Sequence, residues 1–113
     1  MVTKKVLIID DEPDFCLLLR TYLKAKQYDV FTANTIKEGV SLAQELGPDI
    51  IFLDNNLPDG LGWEQVPNLY SWFPQSEYFL MSAFHPPTPA LDPHIKVRIL
   101  EKPISFKSLD PYF

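Results

Sequence analysis

Three unbroken apolar runs, Val6–Ile9, Ile50–Leu53 and Tyr78–Met81, constrain this chain more than any other feature of it. A strand with one wet face alternates apolar and polar residues. A run without alternation suits a strand covered on both faces, as in a parallel sheet. Two weaker runs, Asp29–Thr32 and Val97–Leu100, read as further strands. Helical patterns lie between them. Over residues 14–27, Phe15, Leu18, Leu19 and Tyr22 share one stripe, with Pro13 at the first helical position and Lys24 and Lys26 near the end. Thr35-Ile36-Lys37-Glu38 has the form of a capping box, Ile36, Val40 and Ala43 line up behind it, and Gly47-Pro48 is a stop signal. A third helix is expected after Gly60, through Trp63, Val66, Leu69, Tyr70 and Phe73, kinked or delayed by Pro67. Strands alternating with helices predict right-handed βαβ units and an α/β doubly wound parallel sheet.

At 113 residues the chain is expected to form a single domain, 1–113. A net charge of −5 argues against a nucleic-acid surface, which needs clustered Lys and Arg. No apolar run approaches the ~20 residues that span a bilayer, and Met1-Val2-Thr3-Lys4-Lys5 lacks the features of a signal peptide. The expectation is a cytoplasmic protein with no membrane contact. The single cysteine, Cys16, agrees with a reducing compartment, and reads as a small buried hydrophobe. Four glycines form no glycine-rich phosphate loop, which excludes a flavin or dinucleotide protein.

In an open α/β sheet the functional crevice lies beyond the carboxyl ends of the strands. Here those ends read Asp10-Asp11-Glu12, Asp54-Asn55-Asn56, Ser82-Ala83 and Glu101-Lys102-Pro103. If these strands are neighbours, Asp10, Asp11, Asp54, Ser82 and Lys102 converge. Two carboxylates about 5 Å apart repel by roughly 3 kcal/mol at an effective dielectric near 20, so such a cluster calls for a cation. Oxygen-only ligands open to solvent suit Mg²⁺ rather than zinc. A divalent ion beside a carboxylate, a hydroxyl and a lysine can support phosphoryl transfer, with the carboxylate as nucleophile.

Over residues 4 to about 105 the chain resembles the receiver domain of bacterial two-component response regulators. The resemblance is carried by Val6-Leu7-Ile8-Ile9-Asp10-Asp11-Glu12-Pro13, Ile51-Phe52-Leu53-Asp54 with Leu57-Pro58-Asp59-Gly60, Met81-Ser82-Ala83, and Lys102-Pro103. It implies a flavodoxin-like fold with five strands in the order 2-1-3-4-5. It implies Asp54 as the acceptor of a phosphoryl group from a histidine kinase or histidine phosphotransfer protein. Mg²⁺ would be held by Asp11 and Asp54, by the Asn56 carbonyl, and by Asp10 through water. Ser82 and Lys102 would bind the phosphoryl group. The result would be a phosphorylation-controlled switch that catalyses only its own phosphorylation and dephosphorylation. It would act on an output partner or on a covalently linked output domain, as a whole protein or as a receiver cut from a longer regulator or hybrid kinase.

The chain also departs from the family pattern. Ile99 stands where the last strand usually carries an aromatic residue. Pro86, Pro87, Pro89 and Pro93 fall where a fourth helix belongs, and an interior proline costs about 3 kcal/mol in a helix. The fourth helix is therefore expected to be degraded or absent. The fifth is expected to be short, with Pro111 disturbing its end. One rival reading is a degenerate receiver that binds partners independently of phosphorylation. The lost helix speaks for it, and the intact Asp11, Asp54, Ser82 and Lys102 against it. Another is an aspartate-nucleophile phosphatase of the haloacid dehalogenase type. That needs an Asp-x-Asp motif, but Glu12 follows Asp10 at that spacing, and there is no room for a lid. His85 and His94 read as solvated, and Trp63, Tyr70, Trp72 and Phe73 as mostly core, with one or two of them exposed as a contact patch.

Overall fold

All five runs are strands, and they lie side by side. The computed structural model describes residues 3–83 and 89–113. Its order is β1 (Lys5–Ile9), α1 (Pro13–Ala25), β2 (Asp29–Ala33), α2 (Ile36–Leu46), β3 (Ile50–Asp54), a hairpin of β4 (Asn56–Leu57) and β5 (Gly60–Leu61), α3 (Val66–Trp72), β6 (Glu77–Ser82) and β7 (Lys96–Glu101). Short 3-10 helices cover Gly62–Gln65 and Phe106–Tyr112. The five long strands form a parallel sheet in the order β2-β1-β3-β6-β7. Leaving the short hairpin out of the count, this is the expected 2-1-3-4-5. The hairpin itself was not foreseen, because two-residue strands are too short to show a period.

Successive strand residues point to opposite faces, which explains why the runs are apolar throughout. Leu7, Ile9, Ile51, Leu53, Tyr78 and Leu80 pack on one face with Ala43, Val66 and Leu69 from α2 and α3. Val6, Ile8, Ile50, Phe52, Phe79 and Met81 pack on the other with Cys16, Leu19 and Leu23 from α1 and with Leu109. Each large apolar side chain fully buried this way stabilises the fold by about 1.5–3 kcal/mol.

The helix signals hold with one correction. Thr35 caps α2 by accepting a hydrogen bond from the Glu38 N–H (3.1 Å), and Gly47 ends it in the left-handed conformation at φ 60°. Pro67 sits in the first turn of α3, after a 3-10 turn, so the helix is delayed rather than kinked. On α1 the buried stripe is Cys16, Leu19 and Leu23, and Leu18 is 57% exposed. Leu18 lies about 100° round the helix from Leu19, beyond the edge of the buried face. Between residues 89 and 95, which include Pro89 and Pro93, there is no helix. Pro86, Pro87 and His85 lie outside the described residues. His94 is exposed, as expected, and its ring nitrogen meets Asp92 at 2.9 Å.

The expected fifth helix is a 3-10 helix that takes Pro111 inside it. It docks through rings. Phe113 lies 5.8 Å from Phe52, 5.4 Å from Phe79 and 5.3 Å from Tyr28, and Phe106 stacks on Tyr22 at 5.1 Å. Aromatic pairs add about 0.5–1.5 kcal/mol beyond the area they bury. Phe113→Ala is therefore expected to destabilise the domain by about 2–3 kcal/mol, read as a lower denaturation midpoint in urea. A change below about 0.5 kcal/mol, the usual range for a surface position, would show that the terminal ring does not anchor this segment.

Candidate functional site

The carboxyl ends of β1, β3, β6 and β7 meet at one edge of the sheet, and the expected acids meet with them. One carboxylate oxygen each from Asp10, Asp11 and Asp54 lies within 4.8 Å of the others. Asp10 and Asp54 are buried and Asp11 is exposed, so the cluster opens to solvent on one side. Lys102 reaches in from beyond β7. Its ammonium donates to Asp10 Oδ2 at 2.6 Å and to Glu12 Oε1 at 3.0 Å, and stands 3.7 Å from Asp54 Oδ1.

Backbone geometry places these groups. Asp10 is held by its own neighbours: its Oδ1 accepts from the Glu12 N–H at 2.9 Å, and its carbonyl accepts from Asn34 Nδ2 at 3.0 Å. The Cys16 thiol also donates to that carbonyl at 3.4 Å. Burial pushes this thiol up to about 12, so Cys16 packs rather than reacts. Ser82 is buried at the end of β6, and its carbonyl accepts from the Lys102 N–H at 2.8 Å, tying the two residues together. Asn56 is the outlier of the expected set. It lies on β4 two residues past Asp54, is exposed, and pairs with Leu61.

The electrostatics follow from crowding. Burial, then the charge of Asp10, pushes the Asp54 carboxyl up to about 6. Burial also raises Asp10, although the Lys102 hydrogen bond opposes it. For Lys102, burial disfavours the ammonium, but its hydrogen bonds to Asp10 and Glu12 outweigh that and hold its pKa above the ordinary value. One lysine thus serves two buried acids and Glu12, leaving excess negative charge at the mouth.

Three residues were not assigned a part in the site from the sequence. Glu12 is a direct partner of Lys102. Gly62 lies so close to Asp54 that a Cβ there would sit 2.1 Å from the Asp54 carbonyl oxygen. Trp63, expected as core, is buried but also donates its indole N–H to the Leu53 carbonyl at 3.1 Å. The repeated glycine in Gly60-Leu61-Gly62 is the only sequence signal for this close approach.

A five-stranded doubly wound sheet with an acid cluster and a lysine at its carboxyl edge defines a receiver-type α/β domain. Residues 6–110 match the response regulator receiver domain family, and the chain belongs to that family. It is 40% identical over 67 residues to the transcriptional regulatory protein KdpE of Mycobacterium tuberculosis, covering 59% of this chain and 30% of that protein. It is 33% identical over 84 residues to the response regulator protein PilR of Pseudomonas aeruginosa, covering 74% of this chain and 19% of that one. The aligned stretches thus span less than a third of these curated relatives. Among solved structures, the response regulator TrrA of Thermotoga maritima in complex with Mg²⁺ and BeF superposes with a TM-score of 0.84. That match is at 22% identity and covers 97% of this chain and 96% of that one. A receiver domain protein from Methanospirillum hungatei gives 0.86 at 18% identity, covering 98% and 90%. The chain is thus a receiver of the two-component type, a signalling switch rather than a classical enzyme. No helix among the described residues is long and apolar enough to cross a membrane.

Proposed function

We propose that this domain accepts a phosphoryl group on Asp54 in a Mg²⁺-dependent reaction and works as a phosphorylation-controlled switch. The observation that carries the reading is the placement of Asp54 between a cation and an acid cluster. Its carboxylate lies 3.7 Å from the Lys102 ammonium and shares a 4.8 Å cluster with Asp10 and Asp11. Asp11, Asp54 and the Asn56 carbonyl would hold the ion, with Asp10 acting through water. The donor set fits Mg²⁺, because it is all oxygen, carries excess negative charge and is open on the Asp11 side. When bound, the ion supplies charge stabilisation to the transferring phosphoryl group.

In the transfer a carboxylate oxygen of Asp54 forms a bond to phosphorus as the bond from phosphorus to the donor breaks. The leaving group, a histidine nitrogen of a kinase or phosphotransfer protein, keeps the electron pair. Lys102 then pairs with the new phosphoryl oxygens, and the Ser82 hydroxyl hydrogen-bonds another. Residues 1–113 act in this reading as a single receiver domain, with an output domain or partner supplied on the same chain or another, in the cytoplasm. The KdpE and PilR relatives are regulators of which this chain matches only a part, which supports reading the output as supplied outside this acidic domain.

Incubation with acetyl phosphate and Mg²⁺, followed by intact-mass measurement, is the test. The wild type should gain one phosphoryl group, chelation of Mg²⁺ should stop it, and Asp54→Asn should gain none. Stoichiometric labelling of Asp54→Asn would reject the assignment and leave the phosphorylation-independent binding module as the better reading.

A further inference from the structure

The carboxylate of Asp54 is aimed by the backbone on either side of it, and one dipeptide holds both sides. The ladder of β3 with β1 stops at Leu53, and that with β6 at Asp54. Past Leu53 the strand has no partner on its β1 side, and the carbonyls there need other donors. Gly62-Trp63 supplies them. The Trp63 indole N–H donates to the Leu53 carbonyl at 3.1 Å, in a buried setting. The Gly62 N–H donates to the Asn55 carbonyl at 2.8 Å, and the Trp63 N–H to Asn55 Oδ1 at 3.2 Å. On its far side, the Asn55 N–H donates to the Met81 carbonyl at 3.1 Å.

We infer that Trp63 is a positioning residue for phosphorylation: its indole N–H, clamped on the Leu53 carbonyl, fixes the direction in which Asp54 presents its oxygens. The inference rests on the reading of Asp54 as phosphoacceptor. A phenylalanine would fill most of the same core volume, and the ring is only 5% exposed. The hydrogen bond is the part that packing does not require. In-line attack tolerates little misplacement, and a shift near 1 Å can slow a reaction by about 100-fold. Loss of one of three hydrogen bonds to the loop should move Asp54 by less than that, and slow the reaction by about 10-fold.

The test uses Trp63→Phe together with a second variant in which Trp63 is replaced by β-(3-benzothienyl)alanine, which keeps the bicyclic shape and lacks only the N–H. Both are labelled with acetyl phosphate and Mg²⁺ at a temperature where circular dichroism shows them folded. The rate constant at saturating phosphodonor should fall about 10-fold in both, while the phosphodonor concentration giving half-maximal rate stays within about twofold. A wild-type rate in the benzothienyl variant, with or without a loss in Trp63→Phe, would show that shape alone matters and overturn the role of the N–H. A wild type that takes no label at all would overturn the reading of Asp54 itself, and with it this inference.

Discussion

Asp54→Asn, the variant expected to lose labelling, should be more stable than the wild type in the absence of metal at pH 7. The reason is the crowding of the site. Burial and the nearby Asp10 hold the Asp54 carboxyl at about 6 in the fold, against about 3.9 for an aspartate in an unfolded chain. The folded state therefore binds this proton more tightly than the unfolded state. The corresponding stability is fully present below about pH 4 and is lost as pH rises through about 6. At pH 7 both states are ionised, and the native state carries the whole penalty, ~3 kcal/mol for a shift of about two pKa units. An asparagine has no charge to bury, but its amide still needs partners. The expected gain is therefore about 2 kcal/mol, shrinking towards zero near pH 4.

Urea titrations of both proteins in EDTA, from pH 4 to 8, would measure that difference directly. Comparing the pair removes the pH response of the other carboxyls, such as Asp59, whose pKa is lowered by the Ile36 and Lys37 N–H groups it caps. Mg²⁺ should reverse the order of the two proteins. At 100 times its dissociation constant a ligand of the native state alone adds ~2.7 kcal/mol, and the variant, lacking one carboxylate, gains less. An Asp54→Asn protein less stable than wild type at pH 7 in EDTA would mean that Lys102 more than compensates the buried charge.

Parallel-sheet physics explains how much of this was readable beforehand. Asp10, Asp54, Ser82 and Lys102 fall at the ends of four apolar runs, and neighbouring parallel strands must bring those ends together. No local pattern was needed beyond the runs themselves. What depends on the path of a loop was not readable. The indole of Trp63 gave a correct expectation of burial, but its partner, the Leu53 carbonyl, is set by a hairpin whose strands have two residues each. Glu12 reads as an acid in a helix start. Only the approach of Lys102, 90 residues away, makes it part of the site. The C-terminal segment shows a different limit. A short helix was expected there and a 3-10 helix is present, but its docking rests on Phe113 meeting Phe52 and Phe79, contacts that no spacing within the segment encodes.

The two glycines Gly47 and Gly62 separate a conformational need from a spatial one, and substituting each by alanine should give opposite kinds of loss. Gly47 is left-handed at φ 60°, with nothing within 4 Å of the position a Cβ would take. Alanine there meets only the backbone penalty of about 1–2 kcal/mol, far from the acids. At Gly62 the Cβ would stand 2.1 Å from the Asp54 carbonyl oxygen and 3.0 Å from the Leu53 and Leu57 methyl carbons. The methyls can turn aside. The carbonyl cannot, because it belongs to the last β3 residue paired with β6. Either the strand end shifts, or residues 55–62 lift away and release the Gly62–Asn55 and Trp63–Leu53 hydrogen bonds. Both routes displace Asp54. Overpacking typically costs about 1–3 kcal/mol, and the two lost bonds add ~1 kcal/mol each, so Gly62→Ala should destabilise the domain by about 3–5 kcal/mol. Urea denaturation would give those stabilities, and acetyl phosphate labelling at low temperature would give the rates. Gly47→Ala should label at the wild-type rate despite its lower midpoint, and any folded Gly62→Ala should label slowly or not at all. Equal labelling by the two variants would show that Asp54 keeps its aim without the close packing of this loop.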